Sequence, residues 1–172
     1  MIIPDKTLNY RVFKDAKDLL GTADVELPEI EQLTDTLKGA GIAGEIDVPT
    51  VGHIAAMSMT INWRTVTGDL IALSAPKAHQ LDLRATQQHF DTSTGLLKNV
   101  AVKHVVSVVP KKLSIGKLET AAATDSSNEF SVMYYKLLLD GEVKIEIDPL
   151  NYIYYIDGMD YLAEVRKDLG LA

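Results

Sequence analysis

Apolar and polar side chains alternate along several segments of this chain, and this period of two constrains the fold more than any other feature. Between Ala55 and Thr65 one set of alternate positions is apolar, namely Ala55, Met57, Met59, Ile61 and Trp63. Successive side chains of a strand point to opposite faces of a sheet, so this segment is predicted to be a half-buried strand. His79 to His89 and the valine-rich segment Asn99 to Val109 predict two more strands, joined at the turn-forming residues Thr92 to Gly95.

A second hairpin is predicted around Asp140-Gly141, between Phe130 to Leu139 and Glu142 to Asp148. Asp-Gly supplies the positive φ values of a type I′ turn. Counting outward from the turn pairs Leu138 with Val143, Lys136 with Ile145 and Tyr134 with Ile147, and places the apolar residues of the second strand in the core. The opposite face of the first strand is also apolar, at Met133, Tyr135, Leu137 and Leu139. This second apolar face predicts a further covering layer, either a helix of the same chain or a neighbouring subunit.

Helices are predicted at two places. Leu162, Val165 and Leu169 recur at helical spacing, and Gly170 is placed to end that helix. A shorter helix is predicted between Thr67, a suitable N-cap, and Pro76. The tyrosine-rich segment Asn151 to Ile156 and the turn Asp157-Gly158 precede the C-terminal helix.

Three segments are predicted to be irregular: an N-terminal arm at residues 1–6 and extended loops at residues 38–50 and 110–128. None has the composition of a domain linker, so residues 1–172 are expected to form a single domain. The last loop is long for a connection inside a compact domain, and such loops tend to be functional. We expect a partner to order it.

The composition narrows the function. The formal net charge of −7 argues against a protein that grips nucleic acid through phosphate neutralisation, and the chain has no cysteine for disulfides or thiolate metal sites. No apolar run approaches the roughly 20 residues that span a bilayer, so no membrane anchor is expected. The amino terminus lacks a signal-peptide pattern, which predicts a soluble protein made in the cytoplasm.

Motifs that would indicate catalysis or cofactor binding are weak. Gly39, Gly41 and Gly44 match G-x-G-x-x-G, but a strand-like segment follows where a dinucleotide site needs a helix. The four histidines show no metal-ligand spacing, although His89 and His104 could face each other across a hairpin. No catalytic residue, cofactor or metal is therefore predicted. The lysines Lys111, Lys112 and Lys117 form a basic cluster, either a solvated loop or a docking site for an acidic neighbour.

The C-terminal third resembles the major tail tube protein family of contractile-tailed phages such as P2. The matching features, in order, are Asp140-Gly141, Glu146-Ile147-Asp148, Asn151, Gly158-Met159-Asp160 and Gly170-Leu171. Lys38 to Gly44 is similar to the family's glycine-rich stretch, and Met59 to Trp63 to the strand after it. Pro110 to Asn128 and Pro149 depart from the family pattern.

The resemblance implies an antiparallel β-sandwich or rolled β-barrel with one flanking helix and a C-terminal helix, that is, the tail-tube fold. It implies a structural subunit without catalytic activity, in the virion tail, with six copies in a ring and rings stacked into a tube. Its partners would be the sheath, baseplate and tail terminator proteins, and DNA would pass through the lumen without specific binding. The tube would serve DNA ejection or membrane puncture, in a phage or a phage-tail-like bacteriocin.

Ring and subunit contacts are expected at glycines, lysines and exposed apolar residues: Gly39, Gly41, Gly44, Lys111, Lys112, Lys117, Met133, Tyr135, Leu137, Tyr152 and Tyr154. Two other interpretations stay open. A tube-like adapter or terminator, or a secretion-system tube protein, would share the fold. A monomeric β-barrel that binds an apolar ligand is the alternative from another functional class.

Overall fold

The computed structural model describes residues 1–19 and 21–171. These residues form twelve strands and two short helices. In chain order the elements are β1 (Ile2–Lys14), β2 (Lys17–Asp18), β3 (Thr22–Glu26), β4 (Gln32–Leu37), β5 (Ile46–Ile54), β6 (Met57–Trp63), α1 (Gly68–Ala72), β7 (His79–Asp91), β8 (Leu96–Ser114), β9 (Ser126–Leu139), β10 (Glu142–Asp148), β11 (Ile153–Ile156), β12 (Met159–Asp160) and α2 (Ala163–Asp168).

One large antiparallel sheet organises the molecule. Its strand order is β12-β11-β10-β9-β8-β7-β1-β2, and β6 pairs with the first half of β9 and carries β3 on its other edge. Strands β4 and β5 form a separate two-stranded sheet. The predicted fold class, mainly antiparallel β with a flanking helix and a C-terminal helix, is confirmed.

The core lies on one face of this sheet. Along β6 the residues Met57, Met59, Ile61 and Trp63 are buried, as the alternation predicts. They pack with apolar residues of the neighbouring strands and with Leu70 of α1, in one cluster that includes Leu81, Val106 and Phe130. Burial of each such side chain stabilises the fold by about 1.5–3 kcal/mol.

Both predicted hairpins are present, but the register predicted for the second is wrong beyond the residues next to its turn. Strands β7 and β8 pair continuously from His79 with Val108 to Asp91 with Leu96. At the other turn Asp140 and Gly141 have φ values of 49° and 82°, and Val143 faces Leu138 as predicted. A β-bulge then intervenes, so that Ile145 pairs with Leu137 and Ile147 with Tyr135. The extra residue is Lys144.

A further bulge explains why β9 looks apolar on both faces. Ser107 pairs with Tyr134 and the next residue, Val108, pairs with Val132, which leaves Met133 as the extra residue. Before the bulge even-numbered residues such as Val132 are buried, and after it Tyr135 is buried instead. The residues on the core face are therefore even-numbered before Met133 and odd-numbered after it. The prediction of two apolar faces on this strand is wrong.

The predicted irregular segments are partly strands. The supposed arm at residues 1–6 belongs to β1, where Ile2 pairs with Asp91 of β7. The segment at residues 38–50 ends within β5, so its irregular part is only residues 38–45. The segment at residues 110–128 begins in β8 and ends in β9, which leaves residues 115–125 between the strands. These parts of the strands contain proline and polar residues, which are typical of loops. Pairing within the sheet overrides that local preference.

Both predicted helices form, each shorter than two turns. The side chain of Thr67 caps α1 and accepts a hydrogen bond from the amide of Leu70 at 3.2 Å. Helix α2 ends before Gly170, whose φ is 71°. Leu162 at its start is buried, whereas Val165 and Leu169 are exposed. Within the described residues, neither helix is long and apolar enough to cross a membrane.

Candidate assembly surfaces

The β4–β5 hairpin projects from the main sheet. Its base is held by the amide of Ala55, which donates to Glu31 O at 2.8 Å, and by Gln32 Nε2, which donates to Tyr154 Oη at 3.3 Å. At the same level Gly52 packs against Leu162. Beyond this base every residue of β4 is exposed.

The two faces of this hairpin differ in polarity. Leu37 pairs with Ile46, and Asp35 pairs with Val48 on the same side, whereas Thr34, Thr36, Asp47 and Pro49 lie on the other side. Leu37, Ile46 and Val48, which we call the hairpin face, are 49%, 51% and 42% exposed. An amphipathic hairpin of this kind normally packs its apolar side against another layer.

The three glycines that are expected at ring contacts lie in the tip of the hairpin. Gly39, Gly41 and Gly44 have φ values of 145°, 91° and 129°, a region that side chains with a Cβ rarely adopt. The space around them is open. Because they connect two strands of a hairpin and not a strand to a helix, they lack the geometry with which G-x-G-x-x-G binds a pyrophosphate.

An apolar groove of about 340 Å³ opens on the core side of the sheet, where β7, β8 and β9 extend beyond the packed core. Its wall residues are mostly aliphatic and come from five strands and the segment after β3: Thr7, Tyr10, Val25, Leu27, Leu83, Ala85, Gln87, Val102, His104, Leu137 and Leu139. We call this surface the apolar groove.

Two polar side chains meet at the apolar groove. His104 Nδ1 lies 2.7 Å from Tyr135 Oη, with the two rings 5.9 Å apart. Burial lowers the pKa of His104 below its ordinary value of 6.5 and raises the pKa of Tyr135 to about 12. Both shifts favour the uncharged forms, so the groove is neutral as well as apolar near pH 7.

The opposite face of the sheet, which we call the polar face, carries charges in mutually neutralising arrangements. Asp82 lies 3.6 Å from both Arg84 Nη2 and Lys103 Nζ. Glu129 lies 3.2 Å from Lys111 Nζ, which also donates to Ser58 Oγ at 2.8 Å. Cations that are occupied by carboxylates bind phosphate groups less well than free ones.

Tyr134 and Glu146 extend the polar face toward β10. The Tyr134 hydroxyl donates to Glu146 Oε1 at 2.9 Å. Burial, then this hydrogen bond to a carboxylate, raises the pKa of Tyr134 far above its ordinary value, so the hydroxyl keeps its proton throughout the physiological range. The bulge at Met133 is what turns Tyr134 to this side.

The remaining predicted interface residues are dispersed. Tyr135 and Tyr154 are only 6% and 9% exposed, so each offers little surface to another subunit. Leu137 lines the apolar groove. Met133 and Tyr152 are each 39% exposed, the first in its bulge and the second in a turn where its φ is 54°.

The predicted lysine cluster is divided between a strand and a loop. Lys111 is the extra residue of a bulge between Pro110 and Lys112, near the end of β8. Lys117 lies in the following loop, where its Nζ is 3.4 Å from Glu119 Oε2. The hypothesis of a single basic docking patch therefore reduces to separate lysines, of which Lys111 belongs to the polar face.

The histidines are also apart. His89 pairs with Lys98 and His104 with Leu83, so the prediction that the two could face each other is wrong. His79 is buried, with Nε2 3.0 Å from Ala75 O. In residues 1–19 and 21–171 no group of histidine and acidic side chains has the arrangement of a metal site.

Sequence reasoning missed the hairpin face and the apolar groove. The alternation of Leu37, Ile46 and Val48 around the glycine-rich tip is a signal of a half-apolar hairpin. The sequence predicts strand character only for the segment that follows the glycines, within the loop predicted at residues 38–50. The groove had no comparable signal, because its residues come from five separate strands.

These surfaces define a class of protein: a β-sheet subunit with a projecting amphipathic hairpin and an uncovered apolar groove, features typical of chains that complete their packing by association. The chain belongs to the phage tail tube protein FII family, whose family model matches residues 4–170.

Two phage proteins and one solved structure are similar to this chain. The tail tube protein of Escherichia phage P2 is 28% identical over 178 residues, which cover 99% of this chain and 100% of that protein. The major tail tube protein of Serratia phage KSP20 is 25% identical over 173 residues, 99% of each chain. A solved sheath-tube complex of an extracellular contractile injection system, PVC, contains a chain with 14% identity and a TM-score of 0.47, over 76% of this chain and 87% of that one.

Proposed function

We propose that this protein is the structural subunit of the inner tube of a contractile tail, in which six copies close into a ring and the rings stack. The observation that carries the proposal is the family match over residues 4–170. Its role is mechanical and not catalytic: it builds a channel for DNA ejection or for puncture of a target membrane. The particle is a contractile phage or a phage-tail-like bacteriocin, and the protein resides in its tail after synthesis in the host cytoplasm.

The polar face is the surface that we assign to the channel. The other face of the same strands carries the core and, beyond it, the apolar groove, so the polar face is the one that is available along the full width of β6, β9, β8 and β7. Its cations at Arg84, Lys103 and Lys111 lie beside carboxylates. A ring of six chains carries a formal charge of −42, six times −7. Cations that are paired with carboxylates hold phosphate groups weakly, and an acidic ring does not attract DNA, which suits passage without specific binding.

We assign the contacts between rings to the projecting hairpin and to one further loop. Residues 38–50 form its tip and the first part of its second strand, and the loop at residues 115–125 is a second candidate. When one surface of a copy contacts a different surface of the next copy, the contact can repeat along an axis without closing. Stacked rings form a tube in this way. Outside the tube we expect the sheath protein, with baseplate and terminator proteins at its two ends.

Electron microscopy of the purified protein at high concentration tests the proposal. We expect rings or tubes with a central channel, and co-purification with the sheath protein when the two are co-expressed. A tube-like adapter or terminator would form single rings that cap a tube, and a secretion-system tube would form tubes that do not retain the sheath. A persistent monomer whose melting temperature rises with an apolar ligand would contradict the proposal and favour a ligand-binding barrel that uses the apolar groove.

A further inference from the structure

The base of the β4–β5 hairpin is held by the C-terminal segment of the same chain. Tyr154 of β11 accepts a hydrogen bond from Gln32 of β4, and Leu162, which precedes α2, packs against Gly52 of β5. Tyr154 and Leu162 both belong to the buried core cluster. The direction in which the hairpin projects from the sheet therefore depends on where these two side chains lie.

Asp160 fixes both of these residues through their backbones. Its Oδ1 accepts hydrogen bonds from the amide of Leu162 at 3.1 Å and from the amide of Tyr154 at 3.4 Å. An aspartate that bonds the amide two residues later forms a tight local turn. One carboxylate oxygen thus joins the two residues that hold the hairpin.

Arg166 of α2 holds this carboxylate in place. Its Nη1 lies 2.6 Å from Asp160 Oδ2 and donates to the carbonyl oxygen of Tyr152 at 2.7 Å. The side chains of Asp160 and Arg166 are only 20% and 24% exposed, so solvent screens this ion pair less than one on the open surface. Burial opposes the ionisation of Asp160, but the hydrogen bonds from Arg166 and from the two amides prevail and hold its pKa below the ordinary value. The carboxylate is therefore charged at neutral pH.

We propose that Asp160 and Arg166 are positioning residues for the β4–β5 hairpin, and that together they form a latch that fixes the direction in which it projects. With the latch closed, the hairpin has the same orientation in every copy before assembly, so association does not have to order it. This inference goes beyond the proposed function, because the latch lies within one chain and is measured on the free subunit.

Hydrogen exchange of the full-length protein, at a concentration below that of assembly, tests the latch. In Arg166→Gln we expect the amide of Ala55, at the hairpin base, and the amides of β4 and β5 to exchange at least roughly ten-fold faster. The physical reason is that a hydrogen bond to a charged group shifts a local opening equilibrium by about that factor. Amides of the core strands β6 and β9 are expected to change by less than roughly two-fold. Asp160→Asn removes the other charge of the latch and is expected to act in the same way.

Spin labels measure the direction of the hairpin, because the natural chain has no cysteine. The double variant Lys38→Cys/Lys77→Cys places one label next to the hairpin tip and one at an exposed position before β7. We expect a narrow distribution of distances between the labels when the latch is intact. Adding Arg166→Gln is expected to broaden that distribution.

Matched variants separate the latch from a general loss of charge or of stability. Lys144→Gln breaks an ion pair with Asp157 beside the neighbouring strand β10, and it is expected to leave hairpin exchange and label distances unchanged. Arg166→Lys keeps the cation and is expected to exchange more slowly than Arg166→Gln. Tyr154→Phe removes only the hydroxyl that accepts from Gln32 and keeps the ring in the core. It is expected to raise hairpin exchange roughly three-fold, with α2 unchanged.

The outcomes distinguish the latch from the tube function. Hairpin exchange that is unchanged in both Arg166→Gln and Tyr154→Phe, or label distances that stay narrow in Arg166→Gln, overturn the latch and leave the tube function standing. Equal acceleration of hairpin and core amides in Arg166→Gln also overturns it, because the cause is then global unfolding. A natural protein that never forms rings or tubes contradicts the proposed function, whereas exchange in the free subunit still decides whether the latch exists.

Discussion

Gly52 lies directly against the side chain of Leu162, in a contact that joins the base of the projecting hairpin to the start of α2. A Cβ added at Gly52 would lie 2.5 Å from Leu162 Cδ2, and the backbone φ of Gly52 is 71°. Leu162 is itself almost completely buried, at 5% exposure. Glycine thus serves two purposes at this position, because it adopts the left-handed conformation and leaves room for a core side chain.

Gly52→Ala is therefore expected to lower the free energy of unfolding by about 2–4 kcal/mol, since backbone strain and overpacking add. Urea denaturation followed by tryptophan fluorescence measures the change. Gly41→Ala is the control, because Gly41 has a φ of 91° but no atom near its hypothetical Cβ. We expect that substitution to cost about 1 kcal/mol, from strain alone. Equal losses for the two variants would show that the Leu162 contact is unimportant.

Asn128 organises a buried polar network behind the core. Its Oδ1 accepts from Trp63 Nε1 at 2.9 Å, and its Nδ2 donates to Ser74 Oγ at 3.1 Å. Asn128→Ala is expected to cost about 2–4 kcal/mol, because it leaves the buried indole N–H without an acceptor. Thermal and urea unfolding measure this loss.

The exposed Asn99→Ala serves as the matched control for Asn128→Ala and should change stability by less than about 0.5 kcal/mol. The double variant Asn128→Ala/Trp63→Phe removes the orphaned donor together with its acceptor. It should be destabilised by less than the sum of its two single variants, and simple additivity would contradict the hydrogen-bond explanation.

The strands of β6 and β7 and both hairpin turns could be predicted from sequence, because side-chain alternation and Asp-Gly chemistry are local signals. Their buried residues, such as Met59 and Leu81, are those that the pattern predicts. The long strand β1 could not be predicted from its first six residues. Pro4 and Lys6 have low strand preference, and their pairing with β7 is a tertiary interaction between distant segments.

The alternation of apolar and polar residues cannot predict the strand register beyond a bulge. A bulge adds one residue to one strand, and every later side chain changes faces, yet nothing in the local sequence at Met133 or Lys144 announces it. The same limit affects the prediction of interface residues. Simple alternation places Tyr135 opposite the core and so predicts an interface residue, whereas the bulge turns it inward. The groove forms only where five strands come together.

His104 makes stability depend on pH. Burial lowers its pKa in the folded protein below 6.5, the value that we take for the unfolded chain. The unfolded chain therefore binds a proton first as the pH falls. The contribution of the neutral ring is fully present above about pH 6.5 and is lost as the pH falls from there through the folded-state pKa.

The free energy of unfolding, measured between about pH 7.5 and about pH 5 for the natural protein and for His104→Phe, tests this dependence. We expect the natural protein to lose more stability over that interval than the variant, which cannot be protonated at this position. His53→Gln, at an exposed position of β5, is expected to follow the natural protein. If His104→Phe has the same pH dependence as the natural protein, the cause lies in other groups.

Met133 sets the phase of β9 because it is the extra residue between the Val132–Val108 and Tyr134–Ser107 pairs. Deletion of Met133 would give a regular ladder in which Val132–Val108 and Tyr134–Ser107 become consecutive pairs, so every side chain keeps its face and Tyr135 stays in the core opposite Val106. We therefore expect the deletion variant to fold and to lose less than about 3 kcal/mol, the range of an ordinary single change. Met133→Thr keeps the chain length and the bulge at an exposed position, and it should cost less than about 1 kcal/mol. Near-ultraviolet circular dichroism and urea titration of the two variants measure the difference. A deletion variant that does not fold, or that has lost the near-ultraviolet signal of its buried aromatic side chains, would show that the extra residue itself is needed to keep β9 in register.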